Sequence, residues 1–249
     1  MYNNSRTFTK GGAIGYLTEG FSYPMGNHNN GVSYYARRNI INIEKILASS
    51  SPITPKVLFD AVNQHKSYMN PDNLKLLLEK AFAQNNIDPN IKNTDVFGYT
   101  LLHLALHSPD IVKFLLEKGV SPNIPDNFGN TTLDKLMIND NITKQNRIIV
   151  TELLLQYGAL TELKNSIGWT AIQSAVIYKH IETVKLLILS RANLNVVTPH
   201  SYYHKPNKNL IELAPQKSPE LKAFLKIAIA CNNNDWGVVD KSVTTEDIQ

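Results

Sequence analysis

The sequence predicts an all-α fold, a solenoid of about five to six stacked helix pairs with β-turn fingers between them. Three observations carry this prediction. Gly98, Gly129 and Gly168 recur at intervals of 31 and 39 residues, and Thr100, Thr131 and Thr170 keep the same intervals. Each threonine opens an apolar run, with Ala105, Leu136 and Ala175 five residues further on. A second apolar run then follows in each copy: DIVKFLLEKGV at 110–120, VTELLLQYGA at 150–159 and IETVKLLILSRA at 181–192. No single pair of such helices can bury its own apolar face, so the stack is the folding unit.

In chain order, residues 1–32 hold six of the 12 glycines and no helical period, which predicts a flexible N-terminal lead. Residues 33–52 predict a capping unit, because Ile40, Ile43, Ile46 and Leu47 fall on one helical face. Full copies are expected at about 53–94, 95–125, 126–164 and 165–197, and a closing repeat at 198–230. The closing copy, LIELAPQKSPELKAFLK at 210–226, parallels LLHLALHSPDIVKFLL at 101–116. In both, Ser-Pro-acid (Ser108-Pro109-Asp110 and Ser218-Pro219-Glu220) is positioned to start the second helix, and Asn70-Pro71-Asp72 does so in the earlier repeat. The serine hydroxyl is expected to accept from free N–H groups, and proline suits the first turn, where a donor is not needed. Polar insertions near Gln64–Asn70 and Asn139–Asn146 lengthen two helix–helix loops, and Thr198–Asn209 enlarges the last finger. Residues 231–249 read as a flexible acidic tail.

The run Thr100-Leu101-Leu102-His103-Leu104-Ala105 resembles the T-P-L-H-x-A signature of the ankyrin repeat, departing only at the proline. Thr131-Thr132-Leu133-Asp134 loses the proline and histidine, as does Thr170-Ala171-Ile172-Gln173. The resemblance covers about residues 33–230. It implies a β-turn plus two helices per copy, a structural hydrogen-bonding role for His103, and ligand contact through the turn tips and first helices. The degenerate, Asn/Ile/Lys-rich copies further resemble the small ankyrin-repeat proteins and effectors of intracellular bacteria.

Turn chemistry supports the same register. Gly98, Gly129 and Gly168 suit tight turns with positive φ, and Gly119 and Gly158 read as helix C-caps. Arg191 stands in that C-cap place in the fourth copy, where a strained or looser turn is expected. The 28 asparagines read as a codon bias rather than a mechanism.

Composition narrows the function. A single cysteine, Cys231, excludes an internal disulfide framework and any cysteine zinc site. The net charge of +4 divides into +1 for residues 1–32, +6 for 33–231 and −3 for 232–249, without a basic run. A nucleic-acid partner is therefore disfavoured, although the sequence pI of about 9.0 keeps it as an alternative. No segment of ~18 apolar residues or apolar signal region is present, so no membrane role and a cytoplasmic origin are expected. His200 and His204 are flanked by prolines and lack a third ligand, so no metal is expected. The Gly11–Gly15 run lacks a following Lys-Ser/Thr, and neither a nucleophile elbow nor paired catalytic carboxylates emerge, so no cofactor and no enzymatic activity are expected.

The reading that follows is a non-enzymatic protein–protein interaction module, expected to be a monomer. It would bind a host protein with an acidic surface through a concave face, and be delivered by a C-terminal signal in the hydroxylated, acidic tail. Candidate contact residues are Phe97, Phe128 and Ile167 at the tips, Tyr99, Asn130 and Trp169 just after the turn glycines, and Tyr202 and Tyr203 in the enlarged loop. The alternative to a binding module is an effector enzyme with an unrecognised site in the inserted loops.

Overall fold

The computed structural model describes residues 42–65, 71–83, 87–199 and 208–234. Those residues form eleven helices and no strand, apart from an isolated antiparallel bridge between Lys92 and Thr100. A leading helix α1 (Ile43–Ala48) is followed by five pairs. They are α2 (Pro55–Gln64) with α3 (Pro71–Ala83), α4 (Leu101–Ala105) with α5 (Pro109–Glu117), and α6 (Thr132–Ile138) with α7 (Lys144–Gln156). The last two are α8 (Ala171–Ile177) with α9 (Ile181–Leu189), and α10 (Leu210–Leu213) with α11 (Pro219–Asn232). First helices pack on first helices along α2, α4, α6, α8 and α10, and second helices on second helices from α1 through α3, α5 and α7 to α9. This is the predicted all-α solenoid. Residues 1–41 and 235–249 lie outside the described residues, and α11 carries helix through Asn232.

Burial follows the apolar doublets. Leu58, Leu74, Leu77, Leu101, Leu102, Ile111, Leu115, Leu133 and Leu136 are fully buried and belong to one continuous core. Each second helix of the middle copies ends the same way. Gly119 donates to Leu116 O while Val120 donates to Leu115 O; Gly158 and Ala159 repeat this on Leu155 and Leu154, Arg191 and Ala192 on Ile188 and Leu187. The turn residue has positive φ each time: +81° at Gly119 and Gly158, and +62° at Arg191, where the sequence predicts a strained or looser turn.

One capping expectation is corrected. Ser108 and Ser218 do precede the helix-starting prolines, but neither side chain makes a capping bond. Ser108 contributes its backbone carbonyl instead, accepting from Ile111 and Val112. Thr54, Thr131 and Thr143 do cap through their side chains.

The asparagines turn out to have mechanical roles. In three successive joints, a side-chain oxygen in the loop after the second helix accepts an N–H from the next copy's loop. Asn90 accepts from Ser121 at 2.8 Å, Asn123 from Leu160 at 2.9 Å and Glu162 from Asn193 at 2.8 Å. Asn195 continues the row by donating to Asn233. Repeats are thus stapled side chain to backbone along the edge, in addition to apolar packing.

The insertion in the third copy is held by a buried cation. Arg147, in the first turn of α7, donates to the carbonyls of Leu136, Asn139 and Ile142. Leu136 O belongs to the last turn of α6, where carbonyls lack an intrahelical donor, and the other two lie in the loop beyond, Asn139 O also accepting from the Ile142 N–H at 3.4 Å. Burial presses the guanidinium pKa downward, opposed by the Asp140 carboxylate.

Candidate protein-docking surface at the finger tips

Each finger is built on an Asx turn. Asp95 Oδ1 accepts from Phe97 and Gly98 N–H, Asp126 Oδ1 from Phe128 and Asn130, and Asn165 Oδ1 from Ile167 and Trp169. The turn glycines sit at φ +60°, +75° and +81° for Gly98, Gly129 and Gly168. A Cβ on Gly129 would come within 2.7 Å of the Ser166 nitrogen, so glycine is required there by space as well as by φ.

Neighbouring fingers are joined by backbone. Asn127 N–H donates to Phe97 O at 2.9 Å, and Ser166 N–H to Phe128 O at 3.1 Å. The equivalent residue of the next finger is Pro199, which has no N–H, so the ladder stops at Ile167. Val96, at the other end, is 77% exposed and Ile167 is 38% exposed. Between them, the half-buried rings of Phe97 and Tyr99 stack at 5.3 Å with an 11° interplanar angle, and Phe128 lies 6.2 Å from Phe97. Phe97, Phe128 and Ile167 are therefore brought into one tip row.

The second proposed row is not an accessible row. Tyr99 is half-buried, but Asn130 is 6% exposed and Trp169 is 3% exposed. Their place lies where the chain leaves the finger and enters the first helix, and Asn165 of the next finger bonds Asn130 there. Asn130 spends its amide on Asp126 and its Oδ1 on Asn165, and its carbonyl accepts from His103. Asn130 and Trp169 are packing residues. Tyr202 and Tyr203 lie outside the described residues, as do His200 and His204. Lys135 was missed as a candidate: its Nζ donates to the Tyr99 hydroxyl at 2.8 Å and stands 4.9 Å from that ring's centroid. Burial lowers the Lys135 pKa, and the Asp126 carboxylate opposes that shift.

Beneath the tips, the third residue of α4, α6 and α8 ties its finger to its helix. The Thr100 N–H donates to His103 Nδ1 at 3.2 Å, and His103 Nε2 lies 3.0 Å from Asn130 O, so the ring is neutral with its proton on Nε2. Burial drives its pKa down to about 4. Asp134 and Gln173 take the first half of that role, accepting from Thr131 and Thr170. Asp134 Oδ1 and Gln173 Nε2 find no partner among the described residues. Burial raises the Asp134 pKa to about 6, against the pull of its bonds to Thr131.

Among the described residues no group of three or more His, Cys, Asp or Glu could hold a metal ion, and no helix is long and apolar enough to cross a membrane. His103 and Asp134 are enclosed by structural bonds, each with a threonine hydroxyl at 2.8 Å, Thr100 on His103 and Thr131 on Asp134.

Known proteins give the arrangement its family. A family model of ankyrin repeats in many copies matches residues 82–136, and a model of the single ankyrin repeat matches residues 167–199. An ankyrin repeat protein of Rickettsia bellii is 44% identical over 211 residues, covering 83% of this chain and 61% of the relative. A second from that organism is 38% identical, covering 79% and 59%. One from Rickettsia felis is 34% identical, covering 82% of this chain and 73% of the relative. The chain thus spans about three fifths of the two Rickettsia bellii relatives. With signature, joints and fingers all in register, the chain belongs to the ankyrin-repeat family.

Proposed function

We propose that this chain is a non-enzymatic protein-interaction module, acting as a bacterial effector that docks a host-cell protein on its finger side. The observation that carries this reading is the tip row: Val96, Phe97, Phe128 and Ile167 offer apolar groups to solvent from backbones cross-linked by hydrogen bonds. Rigid apolar groups lose little freedom on binding, which favours their use as interface anchors. Tyr99 with Lys135 adds a cation beside the row, and the +6 charge of residues 33–231 steers toward an acidic partner. The acidic tail carries the delivery signal, and Tyr202 and Tyr203 are further candidate contacts on sequence alone.

Affinity capture from host lysate tests the docking face. Val96→Asp with Phe128→Ala should reduce recovery of the captured protein at least tenfold, while the urea midpoint stays near that of the unmodified chain. Equal recovery with an intact fold would remove the finger tips as the site. For delivery, deleting residues 240–249 should abolish transfer into host cells without changing the circular dichroism spectrum; undiminished transfer would refute the signal.

A further inference from the structure

A cavity of about 550 Å³ opens between the first turns of α7, α9 and α11, at the helix ends opposite the fingers. Its lining residues include Lys144, Lys179 and Lys185, Glu182 and Glu220, and Phe224. The buried Arg147 adds a fourth cation, so positive charge exceeds negative by two. Lys185 pairs with Glu182 at 3.4 Å and lies 6.0 Å from the Phe224 ring centroid. The Lys144 and Lys179 ammoniums make no hydrogen bond or ion pair among the described residues and are exposed. The side chain of His180, at the N-cap of α9, makes no capping bond, and its Nε2 is engaged with Met137 O. The first-turn amides of α9 therefore lack a capping side chain and add to the pull on an anion. The finger surface uses none of these groups.

We propose that this cavity seats the chain's own acidic segment, residues 235–249, in cis. Charge is the first argument: the segment carries Asp235, Asp240, Glu246 and Asp247 against Lys241. Reach is the second. The helix α11 carries cavity residues Glu220 and Phe224 at its start and hands the chain to the segment at its end. From Glu220 to Asn232 the helix rises about 18 Å. Extended chain from 235 to Glu246 can span about 40 Å, so Glu246 and Asp247 reach the lysines with slack and Asp235 does not. Lys222 and Lys226, four apart on α11, give the returning chain a basic face to follow. Tethering is the third argument: attachment to α11 raises the effective concentration to the order of millimolar, so even weak charge pairing is populated.

Zero-length carbodiimide cross-linking of the full chain at low salt, followed by peptide mass spectrometry of the monomer fraction, tests the proposal. The Glu182–Lys185 pair serves as internal control. The expected result is amide links from Glu246 or Asp247 to Lys144, Lys179 or Lys185. They should fall at least fivefold in 1 M salt, where screening shortens the Debye length to about 3 Å. They should fall as much in the double variant Lys144→Glu, Lys179→Glu, whose positions are exposed and whose control link should persist. Three outcomes overturn the proposal: links confined to the dimer fraction, links spread equally to the remote Lys113 and Lys118, or no segment link while the control forms.

Discussion

Replacing Arg147 by methionine should cost about 3–5 kcal/mol, a large share of the stability of a domain this size. The arginine's donors reach the carbonyls of Leu136, Asn139 and Ile142, and the Leu136 and Ile142 sites are closed to solvent. Methionine keeps most of the apolar stem but donates nothing, leaving two buried acceptors unmet at about 1–3 kcal/mol each. The third acceptor, Asn139 O, lies at a half-buried residue and can turn to water. Some of the loss is returned, because a buried cation is no longer desolvated. Arg147→Lys keeps the charge but not the fork, and should lose roughly half as much. Urea unfolding followed by far-UV circular dichroism gives the free energy. Amide exchange should quicken most at residues 139–143, the loop that the guanidinium holds. A methionine variant within about 0.5 kcal/mol of the unmodified chain would refute the reasoning, since it would show that water already serves those carbonyls.

Acid sensitivity follows from two buried groups of opposite sign. His103 has a folded pKa of about 4 against an ordinary 6.5, so its contribution is complete above pH 6.5 and is lost as pH falls toward 4, about 3 kcal/mol in all. Asp134, raised to about 6, works the other way: its contribution is present below pH 3.8 and is lost as pH rises through 6. His103→Gln should therefore blunt the loss of stability between pH 6.5 and 4, and Asp134→Asn should steepen it; urea midpoints unchanged by either swap would contradict both assignments. Leu115→Ala removes a fully buried core contact and should cost about 2–5 kcal/mol in the same assay, a loss below 0.5 kcal/mol being incompatible with its burial. Gly129→Ala meets both a φ of +75° and the Ser166 nitrogen, so a cost of about 1–3 kcal/mol is expected, and thermal melts matching the unmodified chain would show that the finger relaxes freely.

Local chemistry was the legible part of this sequence. The glycine turns, the positive-φ turn at Arg191 and the helix-starting prolines were readable because each depends on residues a few positions away, whereas the role of His103 came from the family resemblance and reaches Asn130 in the next copy. What escaped depends on register between copies. Asn130 and Trp169 follow their turn glycines just as Tyr99 does, yet the degree to which each place is buried is invisible in one copy's sequence. Arg147 has the sequence appearance of a surface cation; only the inserted loop folded over it makes it internal. The asparagines looked like a compositional habit because their partners stand 31 to 37 residues away.

The row of edge staples bears on how such a chain changes length. Donor and acceptor both lie in the loops after second helices, and the acceptor is met equally well by the oxygen of Asn90, Asn123 or Glu162. A connector that asks only for a backbone N–H on the incoming side does not care which copy supplies it. Excising residues 126–164 would bring the loop at Asn193 to the oxygen of Asn123, which already performs that service for Leu160. Copies can then be lost, duplicated or grafted between relatives of unequal length with each new seam finding its bond ready. The specific burden of such an event would fall on the irregular parts, the Arg147 loop and the finger closed by Pro199.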